Sequence, residues 1–190
     1  MQKNISFISL TFIAFILSGC MVNKNREPIT LYTPPNTSIH TATIIGSTEL
    51  SKSIKADKIA YVFAVDYEKI ENGREKMNSP LVVNSGEHDL QLWCQQGGYK
   101  YTNLTRVKLE AGKRYQVQFS MNVDRQYNCY VWIYDLDTKK AIGELVSTIE
   151  VGEYAKPNKM RPIRHVLKPR PQATNSYTVP IRVINKMGHN

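Results

Sequence analysis

Arg114-Tyr115-Gln116-Val117-Gln118-Phe119-Ser120-Met121 alternates polar and apolar without a break. Side chains of an extended chain point to opposite faces in turn, so Tyr115, Val117, Phe119 and Met121 share one face and Arg114, Gln116, Gln118 and Ser120 the other. Downstream, Asn128 to Asp135 repeats the pattern, with Cys129, Val131 and Ile133 on one side and Tyr130, Trp132 and Tyr134 opposite, and Glu144 to Val151 makes a last run. Upstream, Val107 and Leu109 lead into the turn Ala111-Gly112-Lys113, and His88 to Cys94 groups Leu90, Leu92 and Cys94 against Asp89 and Gln91. Ile59 to Val65 alternates large and small, which puts Ile59, Tyr61, Phe63 and Val65 on one face, and Thr41 to Ile45 is rich in β-branched residues. No amphipathic helical pattern runs beyond two turns. About seven strands at roughly ten-residue spacing predict an all-β domain over 40–154, an antiparallel β-sandwich.

The chain begins with Lys3 and then an apolar run from Ile5 to Leu17, followed by the small residues Ser18 and Gly19 before Cys20. That run is too short to cross a bilayer as a helix, which takes about 20 residues, and its layout is that of a signal peptide. Leu17-Ser18-Gly19-Cys20 resembles the lipobox of bacterial lipoproteins. The resemblance implies that residues 1–19 are removed and that Cys20 carries the acyl chains, palmitate among them, that hold the protein on the bilayer; the alternative is an uncleaved anchor helix. Acylation with more than one chain anchors stably. Met21 stands where aspartate tends to retain such proteins in the inner membrane, so the expected location is the outer membrane, facing the periplasm. Residues 20–39, polar and carrying Pro28, Pro34 and Pro35, read as a lipidated tether.

With Cys20 consumed by lipid, Cys94 and Cys129 remain. An oxidising compartment favours a disulfide between them, and each shares its strand face with aliphatic residues, so both sulfurs point toward a core; two buried free thiols are the alternative. Apart from the one charge of Lys3, the net charge of +9 lies at the C-terminal end. Lys and Arg balance Asp and Glu between Cys20 and Tyr154, whereas residues 155–190 carry cations, five prolines and no acid. Such a segment reads as an extended basic tail, unable to build a core of its own. Lys168-Pro169-Arg170-Pro171 places Lys168 and Arg170 on a stiff backbone, suited to anionic lipid, wall polymer or an acidic protein groove. Nucleic acid would satisfy the charge but not the compartment.

Gly73, Ser79-Pro80-Leu81, Ser85-Gly86-Glu87-His88, Leu90, Leu92, Gly98-Tyr99, Val107, Leu109, Ala111-Gly112 and Val117 form a pattern that resembles the PEGA family, short β-sandwich repeats of bacterial envelope proteins. The resemblance spans about a third of the mature chain and implies a fold; such modules are mostly accessory, without chemistry of their own. The cysteine pair and the aromatic strand lie outside that pattern.

Catalytic motifs are missing. The histidines are His40, His88, His165 and His189. His88, between Glu87 and Asp89, has the makings of a base with a carboxylate orienter, but is better explained as the turn entering a strand. Asp135-Leu136-Asp137-Thr138 starts like a calcium loop yet lacks its glycine and distal glutamate, so a polar turn is expected, with no metal or cofactor. Trp93, Tyr130, Trp132 and Tyr134 lie opposite the core-facing cysteines and could form one aromatic binding face, unless other parts of the chain cover them. The expected function is therefore a non-catalytic accessory or scaffold subunit of an envelope assembly, with an envelope protein as partner. A module that binds peptidoglycan or another polysaccharide through aromatic rings is the alternative.

Overall fold

The computed structural model describes residues 28–36, 40–52, 56–122 and 128–168. Its strands are β1 (Thr41–Ile45), β2 (Ser47–Glu49), β3 (Lys58–Val65), β4 (Glu68–Lys69), β5 (Leu81–Asn84), β6 (Gly86–Gln96), β7 (Tyr99–Leu109), β8 (Arg114–Asn122), β9 (Asn128–Asp135), β10 (Lys140–Ser147) and β11 (Ile149–Glu150). One sheet has the order β10-β9-β8-β1-β5 and the other β11-β7-β6-β3-β2, with β4 hydrogen-bonded to β3. Every pairing between these strands is antiparallel except that of β1 with β8. The sandwich predicted by the alternation is thus present, with eleven strands among the described residues rather than about seven.

Its core lies where the alternating faces meet. Ile44, Val83, Tyr115, Val117, Val131 and Ile133 of one sheet pack with Val62, Leu90, Leu92, Tyr101, Val107 and Leu109 of the other. Cys94 on β6 and Cys129 on β9 are bonded to each other within this layer, so the disulfide joins the two sheets.

Two details depart from the strict pleat. In β3 the register against β6 shifts between Val62 and Ala64. An irregularity of this kind spends one residue on turning the strand, so Val65 returns to the inter-sheet core while Ile59, Tyr61, Phe63 and Ala64 form a second cluster with Trp93. Val65 therefore does not share a face with Ile59, Tyr61 and Phe63, as unbroken alternation would have it. The last run, read as one strand from Glu144 to Val151, is likewise two: β10 belongs to one sheet and β11 to the other. Thr148 makes the crossing, its N–H and hydroxyl both donating to the Cys129 carbonyl at 3.0 and 2.6 Å.

Gly46 makes the same kind of crossing between β1 and β2. A Cβ there would stand 2.6 Å from the Ala60 carbonyl oxygen and 2.9 Å from the Met77 Cβ. Gly46→Ala is expected to cost about 1–3 kcal/mol through overpacking; an unchanged urea midpoint would show that the crossing has room to relax.

The stretch expected to be a free tether is partly docked. Leu31 bridges Lys69 in parallel, the Tyr32 N–H donates to the Lys69 carbonyl at 2.9 Å, and the Tyr32 hydroxyl donates to the Val82 carbonyl at 3.0 Å. Burial, with Asp66 and Glu68 nearby, pushes that hydroxyl's pKa up to about 12.

Candidate functional site

Because the disulfide ties β6 to β9 across the core, residues adjacent to the two cysteines point outward on opposite sides of the molecule. Trp93 and the Tyr130-Trp132-Tyr134 column therefore cannot form one patch. Trp93 is also closed to ligands: it is 0% exposed, stacks on Phe63 with ring centroids 5.5 Å apart and donates its indole N–H to Gln95 Oε1 at 3.3 Å. It is a core residue of the second cluster, not a binding platform.

The other three rings remain together. Across the β8–β9 ladder Tyr130 faces Ser120, Trp132 faces Gln118 and Tyr134 faces Gln116. The Gln118 amide donates to Gln116 Oε1 at 2.7 Å, and the Gln116 amide donates to the Gly46 carbonyl at 3.2 Å, so the amides beside the rings are held in a row. Tyr130 is 36% exposed; Trp132 and Tyr134 are half-buried. The face is aromatic and amide-edged, and rings of this kind can stack a planar or pyranose ring while the amides hydrogen-bond its edge.

On the opposite side, residues 155–168 do not leave the body as a tail. They run over the sheet containing β3 and β6 as a strap that closes the second cluster, with Ala155 and Met160 packed against it. Buried amides hold the strap: the Ile163 N–H donates to Gln91 Oε1 at 2.9 Å, the Leu167 N–H donates to Asn103 Oδ1 at 2.8 Å, and the Asn103 amide donates back to the Leu167 carbonyl at 3.1 Å. Lys69 Nζ donates to the Asn158 carbonyl at 2.7 Å. Pro157, Met160, Ile163 and Leu167 are half-buried, while Lys156, Lys159, Arg161, Arg164 and Lys168 are exposed. The strap is a ribbon with one apolar edge against the sheet and one basic edge outward. Arg170 and Cys20, the residue expected to carry acyl chains, lie outside the described residues.

His88 is committed to structure. Its Nδ1 is 2.7 Å from Asp66 Oδ2 and its Nε2 2.8 Å from the Asn84 carbonyl, so neither ring nitrogen is left for a substrate proton. Asp89 instead accepts two bonds from Arg106, at 2.7 and 2.9 Å, and one from the Tyr67 hydroxyl at 2.6 Å. The Arg106 guanidinium holds the Asp89 carboxyl below its ordinary range.

Asp135 serves the β9–β10 turn. Its Oδ1 accepts from the N–H groups of Asp137 and Thr138 at 2.8 and 2.9 Å, as a turn aspartate does, and Asp137 pairs with Arg114 at 2.8 Å. The Thr138 N–H, followed by that of Asp137, lowers the Asp135 pKa. A carboxyl lowered in the folded state stabilises above its unfolded pKa, about 3.9, and loses that contribution as pH falls through the folded value. The Tm deficit of Asp135→Ala is therefore expected to be constant from pH 7 to about pH 5 and to shrink below about pH 4. A deficit that persists undiminished at pH 2 would assign the effect to shape rather than charge.

No family model, no curated protein and no solved structure matches this chain. The class established for it is the all-β sandwich with a disulfide between its sheets.

The groups that fasten the strap leave little mark on the sequence. Gln91 and Asn103 sit at positions that alternation marks only as polar, and Lys69 in Glu68-Lys69-Ile70 looks like a hydrated turn residue. All three are buried. Their one sequence signal is weak: half-apolar spacing at Met160, Ile163 and Leu167 in a segment otherwise read as tail.

Proposed function

We propose that this chain is a lipid-anchored envelope protein, acylated at Cys20 in the outer membrane and facing the periplasm, that acts as a non-catalytic accessory or scaffold subunit. Its body resembles the PEGA family in the turn and core positions between Gly73 and Val117, which fits an accessory module. The observation that carries the reading is the strap: Lys156, Lys159, Arg164 and Lys168 are exposed along one ribbon whose backbone is clamped by Gln91 and Asn103. Cations at fixed spacing suit an acidic face of an envelope protein better than cations on a loose tail, because less conformational freedom is lost on contact.

The test leaves the fold intact. Changing Lys156, Lys159, Arg164 and Lys168 to Glu together is expected to abolish crosslinking, in whole cells, from a photoreactive residue at Val166 to a single envelope protein, with membrane fractionation unchanged; Cys20→Ala should remove acylation and release the chain from the membrane. Crosslinking that survives the charge reversal would sink the strap as the contact.

A second reading is favoured by the aromatic face of β9. Trp132 and Tyr134, edged by Gln116 and Gln118, suit a glycan strand such as peptidoglycan. Under that reading, sedimentation with purified peptidoglycan persists at high salt, where screening removes the strap's contribution, and is lost in Trp132→Ala.

A further inference from the structure

Where the docked N-terminal stretch, the β3–β4 hairpin and the strap meet, they enclose a cavity of about 240 Å³. Leu31, Phe63, Ile70 and Pro157 supply apolar wall; Lys69 and Arg74 supply positive charge. We propose that this cavity binds a small organic carboxylate carrying an aromatic or branched aliphatic body, with the carboxylate on Lys69.

Lys69 carries the argument. It is 7% exposed, and its Nζ has two contacts, the Asn158 carbonyl at 2.7 Å and the face of Phe63 at 5.5 Å from the ring centroid. Among the described residues no carboxylate pairs with it. An ammonium has three N–H donors, and a buried one is ordinarily matched by an acid. Burial correspondingly lowers the Lys69 pKa. An incoming carboxylate provides the missing counter-charge.

A second buried polar group stands in the same wall. The Tyr61 hydroxyl is buried and finds no hydrogen-bond partner among the described residues, although Tyr61 lines the cavity. Such orphans are rare in folded proteins and point to a missing partner. The Tyr61 ring is fixed, packed in the second cluster at a tilt to Trp93 and approached by Gly73, where an added Cβ would lie 3.4 Å from the ring carbons.

Charge and size narrow the class. The lining holds two cations, Lys69 and Arg74, and one acid, Glu71, which leaves one net positive charge. A monoanion balances that; a phosphate monoester would be left with excess negative charge. The volume lies just under the roughly 300 Å³ at which drug-sized sites begin, so the body is small.

The test uses the full lipidated chain in detergent micelles and follows the backbone amides of Ile70, Gly73, Arg74 and Asn158 by NMR. Sodium phenylacetate is expected to shift these amides saturably. 2-Phenylethanol, which has the same ring without the charge and partitions more strongly into micelles, should not, and acetate should shift them only weakly. Lys69→Met should weaken phenylacetate at least about tenfold. Arg74→Gln, at an exposed position, should weaken it several-fold with the fold unaffected, which keeps the result decisive if Lys69→Met does not fold. N-acetylphenylalanine separates two sources: tighter binding than phenylacetate assigns the site to a peptide C-terminus, weaker binding to a free acid. Absence of saturation, an equal response to the alcohol, or unchanged affinity in Arg74→Gln overturns the proposal, as does unchanged affinity in a folded Lys69→Met.

Discussion

The double replacement Cys94→Ala/Cys129→Ala is expected to lower the unfolding free energy by about 3–5 kcal/mol and the Tm by on the order of 10 °C. The bridged residues are 35 apart in sequence, and closing a loop of that length restricts the unfolded chain by about 4 kcal/mol in the chain-entropy model. The location adds to this. Both cysteines are 0% exposed in the layer between the sheets, so alanine also leaves unfilled volume there. Burial makes a second outcome distinctive: dithiothreitol without denaturant should leave the bridge intact, because a thiolate must reach a sulfur to attack it. Equilibrium unfolding in urea, with and without reductant, measures both. A loss under 1 kcal/mol, or rapid reduction of the native protein, would show that the bridge is neither a stabilising nor an enclosed element.

Ending the chain at Tyr154 is expected to open the outer face of the sheet that carries Trp93. Four hydrogen bonds disappear, those of Lys69, Gln91 and Asn103 with Asn158, Ile163 and Leu167, each worth roughly 0.5–1.5 kcal/mol net. The apolar cover from Ala155 and Met160 goes with them. A loss of a few kcal/mol follows, accompanied by a red shift of Trp93 emission, read in a Trp132→Phe background so that the half-buried Trp132 does not contribute. Unchanged Tm and emission would mean that the strap rests on the sheet without sealing it. The expected outcome also determines how the strap's function is tested: truncation removes part of the fold, whereas charge reversal at Lys156, Lys159, Arg164 and Lys168 changes the outward edge alone.

What the sequence by itself determined is the alternation and its consequences. The strand at Tyr115 to Met121 was legible because one of its faces is apolar and the other polar, and those at Cys129 to Ile133 and Leu90 to Cys94 because aliphatic residues and cysteine recur at every second position, a period that admits no other regular structure. The same periodicity placed Cys94 and Cys129 on core faces, which made their pairing legible too. Where both faces are covered, alternation does not show where the pleat breaks. Ile59 to Val65 is buried on each side, so sequence did not reveal the register shift that moves Val65 inward.

Tertiary structure alone decided what covers what. Alternation gives the direction of Trp93 relative to Cys94, but only the disulfide between opposite sheets shows that Trp93 and Trp132 point away from each other. Composition marks residues 155–168 as polar and proline-rich, and only the buried Gln91 and Asn103 show why they lie against the sheet: those amides need partners that the ladder does not supply, and backbone from a distant segment supplies them. The cavity at Lys69 belongs to the same category, since its walls come from three segments far apart in sequence. Local pattern fixes which way a side chain points; the neighbour it meets is set by long-range packing, and the strap and the cavity of this protein consist of such meetings.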